Sequence, residues 1–279
     1  MLLCDLHCHS VFSDGTCTPQ EILELADQKG LSAVALTDHN TVAGLQPFLE
    51  ASLNYRTEAI SGIEISSDYD GKELHILALF IEPRYFERFK EFLSVVVERK
   101  EISNISLAEK LNAAGYKVNY EEIKSQTAGK VNRVHFAKAL VESGYVNSVK
   151  EAMDGILSVG AGFYVPPERH SAYEVIKFIK SLNCAAVLAH PLLNLNESEL
   201  EIFLGKAKDC GLDAIETEYS TYDSAEHETA ERLAKKFGLK KSGGSDFHGA
   251  NKPNIMPGEG TGNLKVPYDF ALSLKQGLK

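Results

Sequence analysis

The 279-residue sequence contains no tryptophan, only nine prolines and no long apolar run. Its apolar segments are short, such as SAVALT, LHILALF and AAVLAH, whereas a membrane-spanning helix needs roughly 20 apolar residues. The pattern therefore excludes a transmembrane helix. The N-terminal segment MLLCDLHCHS has no basic region and reaches Asp5 early, so it does not predict a signal peptide, and we expect a cytoplasmic protein.

Cysteines are few and scattered. The five of them contain no CxxC pair and are odd in number, which argues against both a disulfide framework and a thiolate zinc site. We expect reduced and mostly buried side chains at Cys4, Cys8, Cys17, Cys184 and Cys210.

Positive charge is also scarce, with 29 basic against 39 acidic residues and a net charge of -10. This sign opposes broad attraction to anionic lipid or nucleic acid, so we expect neither a membrane partner nor a stable nucleic-acid complex. An anionic small molecule would have to be held locally, by metal ions or by a few basic side chains.

The first fifty residues have the pattern of a βα repeat. An apolar strand, LLCDLH, precedes a helix-start signal in which Thr18 is the N-cap, Pro19 the first helical residue and Glu21 the partner in a capping box. Gly30 is expected to end that helix in a left-handed conformation. The run SAVALT then predicts a buried strand that ends at Asp38.

The same alternation returns downstream. Asp70-Gly71 predicts a hairpin turn between GIEISSDY and KELHILALF. Helices over 172–182, 197–210 and 225–237 each precede a short strand, in AAVLAH, DAIETE and KSGGSDFH. This order predicts an α/β fold, a distorted barrel more than an open sheet, with its functional site at the carboxyl ends of the strands.

Between the two parts of this barrel the alternation stops. Three helical segments with polar, glycine-containing joints take over, and Pro166-Pro167 predicts an extended return. We therefore expect a first barrel part over 1–98, a small helical insertion acting as a substrate cap over 99–165, and a second barrel part over 166–279.

Histidines and carboxylates collect at the predicted strand ends. His7 and His9 are two residues apart on one strand, so both imidazoles face one side, which suits two ligands of one metal ion. Each such residue also has an ordinary structural explanation, as a helix cap or a hydrogen-bonded core histidine. Together they would leave many ionisable groups buried at one rim, which is costly without a compensating cation. We therefore expect a polynuclear metal site from these and the other strand-end groups, His39, Glu64, His75, His190, Asp246 and His248.

The ordered motifs DLHCHS with SDG, LTDHN, GIEIS, AHP and GSDFHG resemble those of the PHP superfamily, the polymerase and histidinol phosphatase metal-dependent phosphoesterases. The resemblance runs from Asp5 to Gly249. The insertion segments NRVHFAKALVESGYV and FYVPP are similar to the branch that contains nucleoside 3′,5′-bisphosphate phosphatases and exonucleases acting from the 5′ end.

This resemblance implies a distorted (β/α)7 TIM-like barrel with a trinuclear metal centre. His7, His9, Glu64 and Asp246 would hold the first ion. Glu64 would bridge to a second ion, which His75 and His190 hold. The third ion would be held by Asp14, His39 and His248, and Asp14 stands where some members of the family have histidine.

Imidazole and carboxylate ligands without thiolate suit manganese, zinc or iron, so we expect two or three divalent ions of these metals. The implied reaction is attack of a metal-bound hydroxide on a phosphomonoester, with His39 or His248 as a candidate acid for the leaving group. Asp5 shares the strand face of His7, where it either orients a ligand or makes a buried structural hydrogen bond.

Substrate selectivity is expected from the insertion. Arg133 and His135, at the start of a helix, are candidates to bind a second phosphate, and Arg169 with His170 are weaker ones. A solvated surface role remains the alternative for each, and His227, in a charged run, is expected to face solvent.

The sequence thus predicts hydrolysis of a nucleotide phosphomonoester, either a 3′,5′-bisphosphate such as pAp or the 5′ end of a short oligonucleotide. Three alternatives stay open. They are a phosphatase of a small non-nucleotide monoester such as histidinol phosphate, a non-catalytic interaction module, and C–N bond hydrolysis, which the lack of a strand-end lysine disfavours.

Overall fold

The computed structural model describes residues 2–127 and 131–278. It separates into a first unit, Met1–Lys90 with His170–Lys279, and a second unit, Glu91–Arg169. The first unit contains eight strands among the residues described: β1 Leu3–Cys8, β2 Ala33–Leu36, β3 Glu58–Tyr69, β4 Lys72–Leu79, β5 Ala185–Leu188, β6 Ala214–Tyr219, β7 Lys240–Gly244 and β8 Val266–Pro267.

Helices alternate with most of these strands. The α-helices are α1 Pro19–Gln28, α2 Leu45–Ser52, α3 Phe86–Ala113, α4 Tyr120–Gln126, α5 Arg133–Glu142, α6 Val149–Asp154, α7 Ala172–Ser181, α8 Glu197–Asp209, α9 Ser224–Phe237 and α10 Tyr268–Gln276. The predicted start and end of α1 are confirmed, because Thr18 and Glu21 form the capping box and Gly30 has a φ of 70°.

The eight strands form one sheet in the order β7-β6-β5-β4-β3-β2-β1-β8. The predicted hairpin is confirmed, since Asp70 and Gly71, both with positive φ, join the antiparallel pair β3 and β4. Because β4 runs backwards, it also pairs antiparallel with β5, whereas β5, β6 and β7 are mutually parallel. The beginning of β4 therefore lies at the same rim as the ends of the parallel strands.

The sheet nearly closes into a barrel between β1 and the segment after β7. Asp246 donates its main-chain N–H to the carbonyl of His7 at 2.8 Å, and His9 donates to the carbonyl of Phe247 at 2.9 Å. One apolar cluster contains Leu6, Ala35 and other small or branched residues from seven neighbouring strands, together with residues of α10. A single cluster with residues from seven strands requires a sheet that curves around it, so the predicted distorted barrel is confirmed.

The second unit is helical and has its own core. Leu107 and Leu111 of α3 pack with Phe136 and Leu140 of α5, and all four are fully buried. A buried amide strengthens this packing, because Asn104 donates from Nδ2 to the carbonyl of Val131 at 3.0 Å.

All five cysteines are free, and Cys4, Cys8 and Cys184 are buried. Among the residues described, no helix is both long and apolar enough to span a membrane.

Candidate metal centre

Nine histidine and carboxylate side chains from distant parts of the chain meet at one rim of the barrel. Strands β1, β3 and β4 carry His7, Glu64 and His75 themselves, while the others follow β1, β2, β5 and β7 or lie in the loop that contains Asp14. The complete set is His7, His9, Asp14, His39, Glu64, His75, His190, Asp246 and His248.

Glu64 lies at the centre of this set, and its carboxylate is fully buried. Its Oε2 atom is 3.2 Å from Nε2 of His7, 3.2 Å from Nε2 of His9 and 3.0 Å from Nδ1 of His39. Its Oε1 atom is 2.8 Å from Nδ1 of His75 and 3.0 Å from Nε2 of His190. Five imidazoles thus surround one carboxylate.

The potential ligand atoms fall into three overlapping groups, within each of which all atoms lie within 4.8 Å of one another. His9, His39 and Glu64 each belong to two groups, as expected for neighbouring ions that share ligands. The groups are His7, His9, Glu64 and Asp246; His9, Asp14, His39 and His248; and His39, Glu64 and His75.

The nitrogen and oxygen atoms of this cluster are arranged to bind cations, because several of them form no hydrogen bond. Among the described residues, buried Nε2 of His7, both ring nitrogens of His9, Nδ1 of His39 and Oε2 of Glu64 have no hydrogen-bond partner. A buried polar atom without a partner is costly, and native proteins rarely keep several together. Nitrogen and carboxylate donors that converge without hydrogen-bond geometry are typical of metal ligands, so the residues present fit two or three divalent ions.

Neighbouring groups fix the orientation of two ligands. Nδ1 of His248 donates to the carbonyl of Asp246 at 2.8 Å, which leaves Nε2 to face Asp14 at 3.2 Å. The Oδ2 atom of Asp246 accepts from the Tyr219 hydroxyl at 2.7 Å and from Lys252 at 2.6 Å. Its other oxygen is thereby directed at the cluster, 3.2 Å from Nε2 of His9.

The same crowding shifts the pKa values in the metal-free chain. Burial opposes protonation of His9 and His75. The nearby carboxylates outweigh it: Asp246 and Glu64 raise the pKa of His9 to about 9, and Glu64 and Glu73 raise that of His75 to about 10. Burial dominates at His39 and lowers its pKa to about 3. Burial also opposes ionisation of Glu64, yet the surrounding imidazoles hold its pKa well below the usual value.

The profile of the PHP domain family matches residues 5–170, more than half of the chain. The chain belongs to the PHP domain family. The family predicted from the motifs is thereby confirmed.

Named relatives indicate the chemistry of this part of the family. The chain is 31% identical over 245 residues to a 5′-3′ exoribonuclease of Haemophilus influenzae, covering 88% of this chain and 89% of the relative. It is 28% identical over 259 residues to a 3′,5′-nucleoside bisphosphate phosphatase of Chromobacterium violaceum, covering 92% and 88%. A solved structure from Bifidobacterium adolescentis, assigned to the metal-dependent phosphoesterases, matches with a TM-score of 0.86 and 26% identity over 99% and 96% of the two chains.

These relatives all bear names of phosphoester-cleaving enzymes, two of which act on RNA or nucleotides. The prediction of a metal-dependent phosphoester hydrolase is confirmed at that level. The metals and the exact substrate remain predictions.

Asp5 makes buried structural hydrogen bonds in this PHP barrel, which is one of the two roles considered for it from the sequence. Its carboxylate accepts main-chain N–H groups of His7, Ser245 and Gly258 at 3.2, 2.9 and 2.7 Å, so it joins β1 to the segment after β7. Gly244 allows that approach, because a Cβ atom there would lie 2.4 Å from Cβ of His7.

Asp38, noted in the sequence only as a strand-end residue, is a second supporting group. Asp38 is almost fully buried and accepts from the Ser10 main chain at 2.7 Å, the Ser10 hydroxyl at 2.6 Å and the Ser13 hydroxyl at 2.6 Å. These bonds tie the loop that carries Asp14 to the end of β2. The sequence signal for this contact consisted of two serines three residues apart, Ser10 and Ser13, and an aspartate at the end of a strand. Such a combination is too common to predict a contact.

Glu216, in β6, was missed in the sequence. It is fully buried and lies 2.9 Å from Nδ1 of His7. A carboxylate in the middle of the apolar strand DAIETE was a usable signal, because an unpaired charge is not tolerated there.

Three predicted substrate residues lie in the second unit, where the structure shows local partners for two of them. Arg133 begins α5 and stacks its guanidinium 4.4 Å from the centre of the Tyr164 ring. His135 accepts the Asn132 N–H on Nδ1 at 3.1 Å and completes a capping box. Arg169 is the last residue of that unit.

Two further histidines outside the centre have structural contacts. His170, in the first unit, accepts the Asp68 N–H on its carbonyl at 2.9 Å. The prediction that His227 faces solvent is wrong, because its half-buried ring donates from Nδ1 to the carbonyl of Thr217 at 2.7 Å. The charged residues around His227 concealed the face that it turns towards β6.

Proposed function

We propose that the chain hydrolyses phosphomonoesters of nucleotides, at a centre of two or three divalent ions held by the nine rim residues. The convergence of five imidazoles on the buried carboxylate of Glu64 carries this proposal. Manganese, zinc and iron are the candidates, because the ligands are nitrogen and oxygen donors without a thiolate.

When bound, such ions activate water and neutralise the charge of phosphoryl oxygens. The residues of the chain hold and orient the donors. Glu64 joins two groups of ligands, and Asp246 presents one oxygen while Tyr219 and Lys252 retain the other. Water is restricted on the protein side of the centre, where His7, His9 and Glu64 are fully buried.

The contacts favour ligand roles over acid roles for the two histidines considered as proton donors. A pKa of about 3 keeps His39 neutral near pH 7. Nδ1 of His248 donates to the carbonyl of Asp246, so Nε2 is the ring nitrogen that faces Asp14 and the cluster, as a ligand atom would. The leaving group would then take its proton from water.

For the substrate, we propose a nucleoside 3′,5′-bisphosphate or the 5′ end of a short oligonucleotide. The names of the relatives support this choice. A net charge of -10 means that a polyanionic substrate must be bound by local cations, for which Arg133, His135 and Arg169 of the second unit are our candidates. We also retain the expectation of a cytoplasmic enzyme.

Phosphate release tests this proposal. Metal-stripped protein is reloaded with manganese, zinc or iron and is assayed on pAp, 5′-phosphorylated trinucleotides, AMP and histidinol phosphate. We expect release from the first two and loss of activity in His7→Ala. Preference for histidinol phosphate would favour the small-molecule alternative. A chain that binds less than one equivalent of metal and releases no phosphate would favour the non-catalytic module.

A further inference from the structure

Glu216 is a fully buried carboxylate with both oxygens engaged by the metal-ligand set. Its Oε1 atom is 2.9 Å from Nδ1 of His7, and its Oε2 atom accepts the main-chain N–H of His190 at 2.6 Å. It lies in none of the three groups of potential ligand atoms among the residues described. Its contacts therefore point to support of ligands and not to ligation.

The contact with His7 determines which ring nitrogen carries the proton. An ionised carboxylate only accepts hydrogen bonds, so Nδ1 of His7 must donate to Glu216. Nε2 then presents its lone pair to the cluster, where it is 3.2 Å from Glu64 and 3.7 Å from Asp246. A histidine that binds a metal is commonly oriented in this way by a carboxylate on its other nitrogen.

The contact with His190 restrains a strained backbone. His190 has a φ of 30° and a ψ of 52°, a left-handed conformation that residues other than glycine rarely adopt. It also precedes Pro191, whose ring restricts the preceding residue further. Such strain persists only where the surroundings determine it, and the 2.6 Å bond to Glu216 is a restraint of that kind.

We propose that Glu216 is a positioning residue that sets the geometry of two ligands at once, His7 through its ring and His190 through its main chain. This proposal rests on the metal-centre part of the proposed function and not on the identity of the substrate.

Glu216→Gln tests it with little change of shape. An amide has one acceptor, so it can serve His190 or His7 but not both, and an amide N–H facing Nδ1 favours the wrong ring tautomer. We expect the affinity for zinc to fall by about 10- to 100-fold, measured by competition with a chromophoric chelator. Glu218→Gln is the matched control, because Glu218 lies in the same strand but contacts His227 outside the centre.

A spectroscopic measurement separates positioning from simple stabilisation. In the zinc-loaded full chain with ¹⁵N-labelled histidine, we expect His7 to show a protonated Nδ1 with a downfield, slowly exchanging proton, which Glu216→Gln shifts upfield or loses. Equal zinc affinity in Glu216→Gln and wild type would overturn the proposal. An unprotonated Nδ1 of His7 in the wild type would also overturn it, and this result needs no variant to fold.

The outcomes also separate this proposal from the proposed function. A wild-type chain that binds none of zinc, manganese or iron overturns both. A wild-type chain that binds zinc but releases no phosphate from any substrate leaves Glu216 as the positioning residue and removes only the catalytic proposal.

Discussion

The hydroxyl of Ser13 donates to the buried carboxylate of Asp38 at 2.6 Å. Ser13 directly precedes the candidate ligand Asp14 in the chain. Asp38 also accepts both donors of Ser10, so three hydrogen bonds hold this loop against the end of β2. The position of Asp14 therefore depends on a carboxylate that is not itself in a ligand group.

We expect Asp38→Asn to loosen this loop. An asparagine turns one acceptor into a donor facing other donors, and an unsatisfied buried group costs about 1–3 kcal/mol. Urea denaturation should show that loss, and elemental analysis should show fewer bound metal ions. Ser13→Ala removes only one of the three bonds and should have a smaller effect. Full metal content in Asp38→Asn would contradict the role assigned to the loop.

Gly244→Ala should disrupt the joint between β1 and β7. The added methyl would lie 2.4 Å from Cβ of His7 and 2.6 Å from its main-chain nitrogen, closer than such atoms approach. We expect a loss of about 1–3 kcal/mol in the free energy of unfolding from overpacking, together with weaker metal binding.

Gly205→Ala is the control for that substitution. Gly205 lies inside α8, its added Cβ would meet Phe237 at 3.9 Å, and alanine favours helix by about 1 kcal/mol. It should stabilise the chain and leave metal content unchanged. Similar melting temperatures in the two variants would show that the β1–β7 contact is less tight than described.

Metal affinity should rise with pH. In the metal-free chain His9 and His75 have pKa values of about 9 and about 10, so both carry protons at pH 7 that must leave when a metal binds. Calorimetry in buffers with different ionisation enthalpies should detect proton release at pH 7. A binding enthalpy that is independent of the buffer would contradict this prediction.

The metal-free chain should become less stable as pH rises. A histidine with a raised pKa in the folded state stabilises the fold fully below its unfolded value of 6.5, and this contribution is lost as pH rises through about 9 for His9 and about 10 for His75. Removing metal should thus lower the melting temperature more at pH 9 than at pH 7, which scanning calorimetry can measure.

Arg133→Ala tests the proposed recognition of a second phosphate. We expect kcat/KM for pAp to fall about 10-fold or more, as for the loss of a charge-assisted hydrogen bond, while that for AMP changes little. Arg99→Ala removes another arginine of the same unit, which pairs with Glu168, and should spare both substrates. An equal decrease for pAp and AMP would show that Arg133 does not distinguish them.

Local signals predicted the barrel well. Thr18, Glu21 and Gly30 correctly predicted the start and end of α1. Asp70-Gly71 correctly predicted the hairpin that joins the antiparallel strands β3 and β4. The short β8 and the full length of α3 were missed, because a two-residue strand has no periodicity and the apolar positions of α3 do not follow one clear stripe.

The candidate site was predictable in its polar residues but not in their supports. Histidines at strand ends are rare enough to be noticed, whereas Glu216 and Asp38 act through contacts with residues distant in the sequence. His7 and Glu216 become neighbours only when the sheet curves, because β1 and β6 are far apart in the strand order. The carboxylate in DAIETE was a signal that Glu216 needs a partner, but no local pattern could identify which residue that partner is.

The reversed direction of β4 places the β3–β4 hairpin beside the ligands. β3 and β4 continue past Glu64 and His75 as a two-stranded arm, which ends in the exposed residues Asp70 and Gly71. Extra residues inserted at this tip would lengthen one wall of the centre without moving a ligand. Access to the ions, and hence the size of substrate admitted, can therefore diversify at a position that leaves the metal chemistry intact.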